Sequence, residues 1–385
     1  MRIGLVLPGF SASERDWCIP ALLNLVRTLA ATPGVDLEVF PLRYPARRDD
    51  YVVHGARVHP QGGGNSRRLR RIGLMVRTDR AIRHAHRRAR FDLLHAYWAD
   101  EPGLVATFAA ARLGIPSLVS LAGGELANEP EIGYGGQIHR SSRLMVDRAL
   151  RGATHVTTGS LYLTKLAAAR VAPDRLSLLP FGVDTALFTR VPVTDEQSPF
   201  SPIPADGVHI LHVASLVPIK DQRLLIAAFA QVVRAVPNAH LQIIGEGPLC
   251  DALMAQTKGL SLQENVHFHG PVDHHELPRY YRSADFCVLS SRYEAQGMVI
   301  LEAAACGVAT VGTALGLLPD LSPISIIPPG GEDALAHVIL ELVTNESRRR
   351  KLGDAARCLV EYHYTLRSTV ERQLELYRSL IVSRN

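Results

Sequence analysis

The sequence is poor in the features that mark secreted, membrane-spanning and zinc-binding proteins. Its 385 residues include five cysteines, and no two of them form a Cys-x-x-Cys pair. This spacing favours neither a disulfide framework nor a zinc site, so a reducing cytoplasm is the expected location. The first apolar run, residues 3–7, is too short for a secretory signal core. No window approaches the ~18 uncharged apolar residues that a membrane span needs.

Acidic residues are nearly absent from one segment. Between Asn65 and Arg90 a single acid, Asp79, stands against ten arginines: Arg67, Arg68, Arg70, Arg71, Arg77, Arg80, Arg83, Arg87, Arg88 and Arg90. We expect a helix here, and two interpretations stay open: a solvated face, or peripheral binding to an anionic membrane surface or acceptor through residues 67–90. A nucleic-acid partner is not favoured, because no aromatic residues or nucleic-acid motif accompany the arginines.

The remaining composition is that of an ordinary globular protein. Hydrophobic residues make up 47% and charged residues 21%, and the length suits two domains with separate cores. Apolar runs alternate with helical patterns, which predicts parallel strands joined by helices. Residues 51–59 are predicted as one strand of this series, and residues 365–381 as a C-terminal helix.

One stretch organises the functional interpretation. A buried strand over residues 285–289 is followed by a loop with Glu294, then by Gly297 and a small-residue helix that contains Glu302. Gly297 permits a tight turn, and the free N–H groups of Gly297, Met298 and Val299 suit a diphosphate. Two carboxylates beside a phosphate site could accept hydrogen bonds from sugar and ribose hydroxyls.

The spacing Glu-x7-Glu, with glycine three after the first Glu and Glu-Ala-x-Ala-Cys-Gly at the end, resembles the signature of family-four retaining glycosyltransferases. The resemblance implies an α/β GT-B fold, in which two Rossmann-like domains face each other across a cleft and the C-terminal helix crosses back to the first domain. The expected boundaries are an acceptor-side domain at 1–190 with the helix 365–385, a Pro-rich linker at 191–207, and a nucleotide-sugar domain at 208–364.

Further donor-side residues follow from the same resemblance. Lys220 stands where the family has a lysine that grips the diphosphate, and a cation before a helix suits that role. Gly245 and Gly247 match the family's Gly-x-Gly-Pro, and Gly9 is what remains of its first-loop glycine pair. Ser215 replaces the usual arginine of Arg-x4-Lys.

Acceptor-side residues are expected in two loops that follow strands of the first domain. His95 begins a segment similar to the family's His-x-His-Trp. Gly123 and Glu125 belong to a segment similar to its His-Gly-x-Asp, with Ala122 in place of the histidine.

The resemblance implies a retaining, metal-independent transferase that moves a sugar from a nucleotide diphosphate sugar to a glycan, lipid or small-molecule acceptor, with no cofactor. Lys220 and Glu294 would be the catalytic residues, with Glu294 on the donor sugar and Glu302 on the ribose. Because Ser215 and Ala122 depart from the family, a catalytically weakened nucleotide-binding scaffold or regulatory subunit stays open as the alternative.

Three other classes are not favoured. A nicotinamide enzyme would need a third glycine where Cys250 stands. An α/β-hydrolase would need a Gly-x-Ser-x-Gly elbow, which the sequence lacks. His267 and His269 would share a strand face, but no acid or cysteine completes a metal-ligand set, so structural roles are expected.

Overall fold

The computed structural model describes residues 1–64, 68–191, 198–200, 207–321, 326–327 and 331–383, and for 68–70 and 326–327 it describes the backbone only. The described residues divide into two compact units, Met1–Gly182 with Leu366–Asn385, and Val183–Thr365. The division lies eight residues before the boundary expected at residue 190. Most of the expected linker, residues 191–207, lies outside the described residues.

The first unit is built on a sheet with helices between its strands. Its strands are β1 (Arg2–Gly9), β2 (Asp36–Tyr44), β3 (Tyr51–Val53), β4 (Ala56–Val58), β5 (Leu93–Tyr97), β6 (Ser117–Leu121), β7 (His155–Thr158) and β8 (Leu176–Leu178). Its helices are α1 (Pro20–Ala30), α2 (Arg68–Arg88), α3 (Glu101–Leu113), α4 (Arg140–Gly152), α5 (Leu161–Ala167) and the C-terminal α13 (Leu366–Val382). The expected arginine-rich and C-terminal helices are therefore confirmed.

The strand order of this sheet is β3-β4-β2-β1-β5-β6-β7-β8, and every pairing except β3 with β4 is parallel. Central strands such as β5 and β6 are buried along their whole length, as expected for a sheet covered on both faces. The C-terminal helix contributes Val370, Leu374 and Tyr377 to the same hydrophobic core as β1.

The prediction of one strand over residues 51–59 is wrong. The chain forms a hairpin there, in which β3 pairs antiparallel with β4. His54 and Gly55 make the two-residue turn with φ values of 48° and 81°. Two successive residues with positive φ form a tight turn whose twist matches that of the flanking strands. The turn therefore divides the predicted strand into two short strands that pair with each other.

The second unit is also a sheet with helices between its strands, and all of its strand pairings are parallel. Its strands are β9 (Val208–Val213), β10 (Ala239–Ile244), β11 (Val266–Gly270), β12 (Phe286–Leu289), β13 (Thr310–Thr313) and β14 (Ile326–Ile327), in the order β11-β10-β9-β12-β13-β14. Its helices are α6 (Gln222–Ala235), α7 (Cys250–Gly259), α8 (Leu277–Ser283), α9 (Met298–Ala305), α10 (Leu318–Leu321), α11 (Glu332–Val343) and α12 (Glu346–His363). Two Rossmann-like units are therefore present, as the resemblance implied.

Candidate functional site

Lys220 lies in the loop that joins β9 to α6. A short 3₁₀ turn, Pro218–Lys220, ends at this residue, and Asp221 then begins α6 by accepting the N–H of Leu224 at 3.4 Å. The ammonium group of Lys220 donates to Oε1 of Glu294 at 2.5 Å. The structure therefore brings the two residues that were predicted as catalytic into direct contact.

The loops that carry this ion pair are joined by two further hydrogen bonds. The hydroxyl of Ser290 donates to the carbonyl of Lys220 at 2.8 Å, and the N–H of Arg292 donates to the carbonyl of Ile219 at 2.8 Å. Strands β9 and β12 are neighbours and run parallel, so their following loops meet at the carboxyl edge of the sheet. Ligands of open α/β sheets bind at this edge.

Glu294 is nearly shielded from solvent, with 8% of the residue exposed. Besides the Lys220 ammonium, it accepts the hydroxyl of Ser291 at 2.8 Å. Gly297 begins α9 with φ of 79°, a left-handed conformation that favours glycine. The first amides of α9, at Met298 and Val299, have no acceptor within the helix and are available to an anion.

Glu302 lies inside α9, where both of its carboxylate oxygens contact side chains. Tyr281 donates its hydroxyl to Oε2 at 2.8 Å, and Nε2 of His274 lies 3.3 Å from Oε1. Burial, reinforced by this carboxylate, raises the pKa of Tyr281 well above its ordinary value. The residue that was predicted to bind ribose is thus held in a fixed orientation by the protein.

Gly245 and Gly247 follow β10 and lie against the loop that leads to Lys220. A Cβ atom at Gly245 would lie 2.0 Å from the carbonyl oxygen of Ala214, and one at Gly247 would lie 2.4 Å from that of Leu216. Both glycines are required by this close backbone approach. Their structural role is to position the 214–220 loop.

Gly9 ends β1 beside Tyr44 of β2. A Cβ atom at Gly9 would lie 3.2 Å from the Cβ of Tyr44, so packing between the two strands already favours a glycine here.

His95 is fully buried within β5. Its Nδ1 lies 2.7 Å from the hydroxyl of Tyr377, and its Nε2 lies 2.8 Å from the hydroxyl of Ser120. Burial lowers the pKa of His95 to about 3, so the ring is neutral. The structure therefore places this acceptor-side candidate in the core, where it links β5, β6 and α13, and not at an open surface.

Glu125 is buried and connects the loops that follow β5 and β6. Its carboxylate accepts the N–H groups of Gly123 at 2.8 Å, Ala99 at 3.1 Å and Ala122 at 3.3 Å. Burial raises the pKa of Glu125, although these N–H groups favour the charged form. Gly123 is confined too, because a Cβ atom there would lie 2.3 Å from Nε1 of Trp98.

Sequence reasoning gave no role to Asp100, which the structure singles out. It stands three residues after β5, and its Oδ1 is buried with no hydrogen-bond partner among the described residues. Burial, with the neighbouring charges of Glu125 and Glu101, raises its pKa to about 7. Nearby, Glu101 is bound by Arg43 at 2.8 Å and by Arg71. In the sequence, the position of Asp100 just after a predicted strand was the feature that could have identified it as a candidate site residue.

His267 and His269 have side-chain partners within the second unit. Nε2 of His269 lies 2.7 Å from the amide oxygen of Gln242, and Nε2 of His267 lies 3.3 Å from Nδ1 of His240. Within the described ranges, no three His, Cys, Asp or Glu side chains come together as a metal site.

Two protein-family models match the chain, one in each half. The model described as "Glycosyl transferase 4-like domain" matches residues 19–182, and the model described as "Glycosyl transferases group 1" matches residues 193–358.

Curated relatives carry glycosyltransferase names. A D-inositol 3-phosphate glycosyltransferase of Kineococcus radiotolerans is 26% identical over 93% of this chain and 89% of its own length. One of the same name from Segniliparus rotundus is 29% identical over 61% of this chain, and the match spans 53% of that relative. A GDP-mannose-dependent monoacylated alpha-(1-6)-phosphatidylinositol monomannoside mannosyltransferase of Corynebacterium glutamicum is 30% identical over 52% of this chain and 55% of its own length.

Solved structures share the fold. Sucrose-phosphate synthase of Thermosynechococcus elongatus superposes with a TM-score of 0.78 at 20% identity, covering 100% of both chains. HepE of Anabaena, solved in complex with UDP-glucose, gives 0.76 at 19% identity, covering 98% of this chain and 100% of its own. With the Glu294–Glu302 motif and the two Rossmann-like units, these matches show that the chain belongs to the group 1, family-four glycosyltransferases of GT-B fold.

Proposed function

We propose that the chain transfers a sugar from a nucleotide diphosphate sugar to a hydroxyl acceptor with retention of configuration and without a metal ion. The observation that carries this proposal is the Lys220–Glu294 ion pair beside the Gly297 turn at the carboxyl edge of the second sheet. The cation and the helix N-terminus suit the diphosphate and the negative charge that develops on it as it leaves. The carboxylate in the adjoining loop suits the sugar hydroxyls.

In this mechanism the costly event is departure of the nucleoside diphosphate. The Lys220 ammonium and the amides of Met298 and Val299 stabilise the negative charge that develops on the leaving oxygen. Glu294 accepts hydrogen bonds from donor-sugar hydroxyls, and Glu302 accepts from the ribose. The acceptor hydroxyl then attacks the face that the leaving group vacates and passes its proton to the departing phosphate oxygen, so that no protein nucleophile is needed.

The loop before Lys220 carries Ser215 where the family has an arginine. Ser215 is exposed, and its carbonyl accepts the side-chain amide of Gln222 at 3.0 Å. Lys220 therefore stands as the diphosphate cation in this loop, with the α9 amides beside it. The alternative, a nucleotide-binding scaffold without turnover, rests on this same departure together with Ala122.

The experiment is nucleoside diphosphate release from UDP- and GDP-sugars, with and without acceptors. Release above background, abolished in Lys220→Ala, supports the enzyme, and the NMR anomeric coupling of the product reports retention. Activity that persists in EDTA supports metal independence. Tight nucleotide binding without release of any product would support the scaffold.

Names of the relatives guide the choice of acceptor. We propose a phosphorylated or lipid-linked polyol, because matched relatives are named for inositol 3-phosphate and for phosphatidylinositol monomannoside. Soluble inositol phosphate and phosphatidylinositol in vesicles are therefore the first acceptors to compare. Transfer to neither, with transfer to an unrelated glycan, would overturn this choice.

The arginine-rich helix α2 supports a membrane-facing role for the first unit. An i, i+4 stripe of exposed residues runs along it: Ile72, Val76, Arg80, His84 and Arg88. The first two place apolar side chains at the surface, 64% and 43% exposed, and the last part is basic. Apolar contact combined with positive charge favours an anionic lipid interface.

Not all of the predicted arginines belong to this surface. Arg71 is bound to Glu101, and Arg83 donates to Asp79 at 3.0 Å. Arg67 and the side chains of Arg68 and Arg70 lie outside the described part of the chain. In the described part, no helix is long and apolar enough to cross a bilayer.

Vesicle co-sedimentation tests the proposal. Substituting Arg80, Arg87 and Arg88 with Gln should reduce binding to anionic vesicles, since each basic residue near such a surface contributes about 1 kcal/mol. The matched control replaces Arg140, Arg148 and Arg151, exposed arginines of α4 in the same unit. Equal loss in both triple variants, or equal binding to neutral vesicles, would contradict a specific α2 surface.

A further inference from the structure

A polar cavity lies at the opposite edge of the second sheet from the Lys220–Glu294 pair. It has a volume of about 390 Å³ and forms where the chain enters β12, at Asp285, and approaches β13, at Gly307 and Val308. Because all strands of this sheet are parallel, this is its amino-terminal edge. The cavity is therefore distinct from the candidate donor site, which follows the carboxyl ends of β9 and β12.

The walls of the cavity are rich in arginine. Four arginines line it against two carboxylates; the arginines are Arg190, Arg282, Arg349 and Arg350, and the carboxylates are Asp285 and Glu346. A third carboxylate, Asp354, pairs with Arg190. Positive charge still exceeds negative charge around the cavity when all three are counted.

Besides Arg190, which pairs with Asp354, two more of these arginines are occupied by nearby protein groups. Arg349 is buried and donates to the carbonyls of Leu342 and Val343 and to Asp285, at 2.6, 2.9 and 2.9 Å. It closes the end of α11 and supports the cavity wall. Arg350 pairs with Glu346 at 2.6 Å, but its side chain is 72% exposed, so the guanidinium can reorient at little cost.

Arg282, at the end of α8, differs from the others. Its Nε is buried and has no hydrogen-bond partner among the described residues. A buried donor without an acceptor is costly, and buried polar groups in proteins are paired with another protein group, an ordered water or an ion. The charge of Arg282 acts on Cys306 in the same wall: burial raises the pKa of that thiol to about 12, and the nearby guanidinium opposes the rise.

We propose that this arginine pocket is a second anion site, which binds the phosphate group of a small phosphorylated ligand. Phosphate oxygens are strong acceptors, and the planar guanidinium groups of Arg282 and Arg350 offer paired donors that match them. The cavity volume falls within the range of small-molecule sites and exceeds what a bare phosphate fills. Its charged walls disfavour an apolar ligand.

The test must separate this pocket from the phosphate-binding elements of the donor site. Titration calorimetry in chloride buffer uses inorganic phosphate and glycerol 3-phosphate as probes, on the Lys220→Ala variant, whose donor-site contact is removed. Binding should persist there and weaken about tenfold or more when Arg282→Gln is added, because a charge-assisted hydrogen bond is lost. Arg350→Gln, a change at an exposed side chain that leaves folding intact, should weaken it by a smaller factor.

The matched control is Arg279→Gln, one turn earlier on α8, where the arginine pairs with Glu276 and does not line the cavity. Tighter binding of the ester than of inorganic phosphate identifies an organic phosphate as the ligand class, and the reverse identifies free phosphate. Absence of binding to Lys220→Ala, or identical affinities with and without Arg282→Gln and Arg350→Gln, would overturn the proposal. Neither result bears on glycosyl transfer, which is measured separately.

Discussion

The contact between Glu294 and Lys220 leads to a prediction of opposite effects. Removing the carboxylate charge with Glu294→Gln should strengthen nucleoside diphosphate binding, whereas removing the cation with Lys220→Ala should weaken it. The ammonium lies 2.5 Å from the carboxylate oxygen. The carboxylate therefore neutralises part of the ammonium charge that would otherwise attract a diphosphate.

The magnitude follows from the exposure of the pair. The side chains are 25% exposed for Lys220 and 9% for Glu294. The pair is thus neither a surface ion pair, which contributes ~0–1 kcal/mol, nor a fully buried one, whose disruption costs ~3–5 kcal/mol. A charge-assisted hydrogen bond contributes about 1.5–3 kcal/mol. Lys220→Ala should therefore weaken diphosphate binding roughly tenfold to a hundredfold.

The opposite change is smaller. Glu294→Gln releases only part of the coupling, because the amide can still contact Lys220 through its oxygen. We expect nucleoside diphosphate binding to tighten by about threefold to tenfold. Binding of the corresponding nucleotide sugar should gain less or weaken, since a neutral amide is a poorer acceptor for the sugar hydroxyls than a carboxylate.

Titration calorimetry with UDP, GDP and their sugar derivatives measures both effects. Lys258→Ala, an exposed lysine at the end of α7, controls for the overall change in charge. Urea unfolding of the two single variants and the double variant gives the coupling energy of the pair independently of ligand. If Glu294→Gln weakens nucleoside diphosphate binding as much as Lys220→Ala does, the carboxylate does not compete for the ammonium and the reasoning fails.

Three further predictions concern single positions. Ser215→Arg should raise the rate of diphosphate release by about 10²–10³, the margin of one strong anion contact, and an unchanged rate in a folded variant would count against the assignment of this loop. Because the folded pKa of Asp100, about 7, lies above its unfolded value, its stabilising effect is lost as pH rises from about 4 to about 7. Asp100→Asn should therefore melt higher than wild type at pH 8 and equally at pH 4; a constant difference would contradict this. Burial first, then nearby histidines, lower the pKa of His267 to about 4, so its contribution is present above pH 6.5 and lost as pH falls through 4. His267→Gln should flatten thermal stability between pH 6.5 and pH 4, and an unchanged profile would show that other groups dominate.

Elements defined by local patterns were accessible from the sequence. Helix α3 (Glu101–Leu113) and strand β6 (Ser117–Leu121) follow the alternation of helical patterns and apolar runs that the sequence predicts. The turn at Gly297 and the helix after it were likewise expected from glycine and small residues alone. Helix periodicity, strand runs and glycine turns depend on neighbours a few residues apart, so the sequence displays them directly.

Roles that depend on distant neighbours were not accessible in the same way. His95 looks like a site residue at a strand end, but Tyr377, 282 residues away, fills its hydrogen-bonding capacity together with Ser120. Glu125 looks like an acceptor-side acid, but backbone N–H groups from two loops surround its carboxylate. The raised pKa of Asp100 likewise depends on Glu125, which belongs to a different strand-end loop.

By itself, therefore, the sequence determined the alternation of strands and helices and the Glu294–Glu302 motif of the donor loop, because local periodicity and motif spacing encode both. The two Rossmann-like units were implied by the resemblance of that motif to family-four glycosyltransferases. The tertiary structure alone decided that Lys220 pairs with Glu294, 74 residues further along the chain. This contact exists because β9 and β12 lie side by side in the parallel sheet, so that the two loops meet at one edge. Strand order is a property of long-range pairing, and a pattern of residues along the chain carries little information about it.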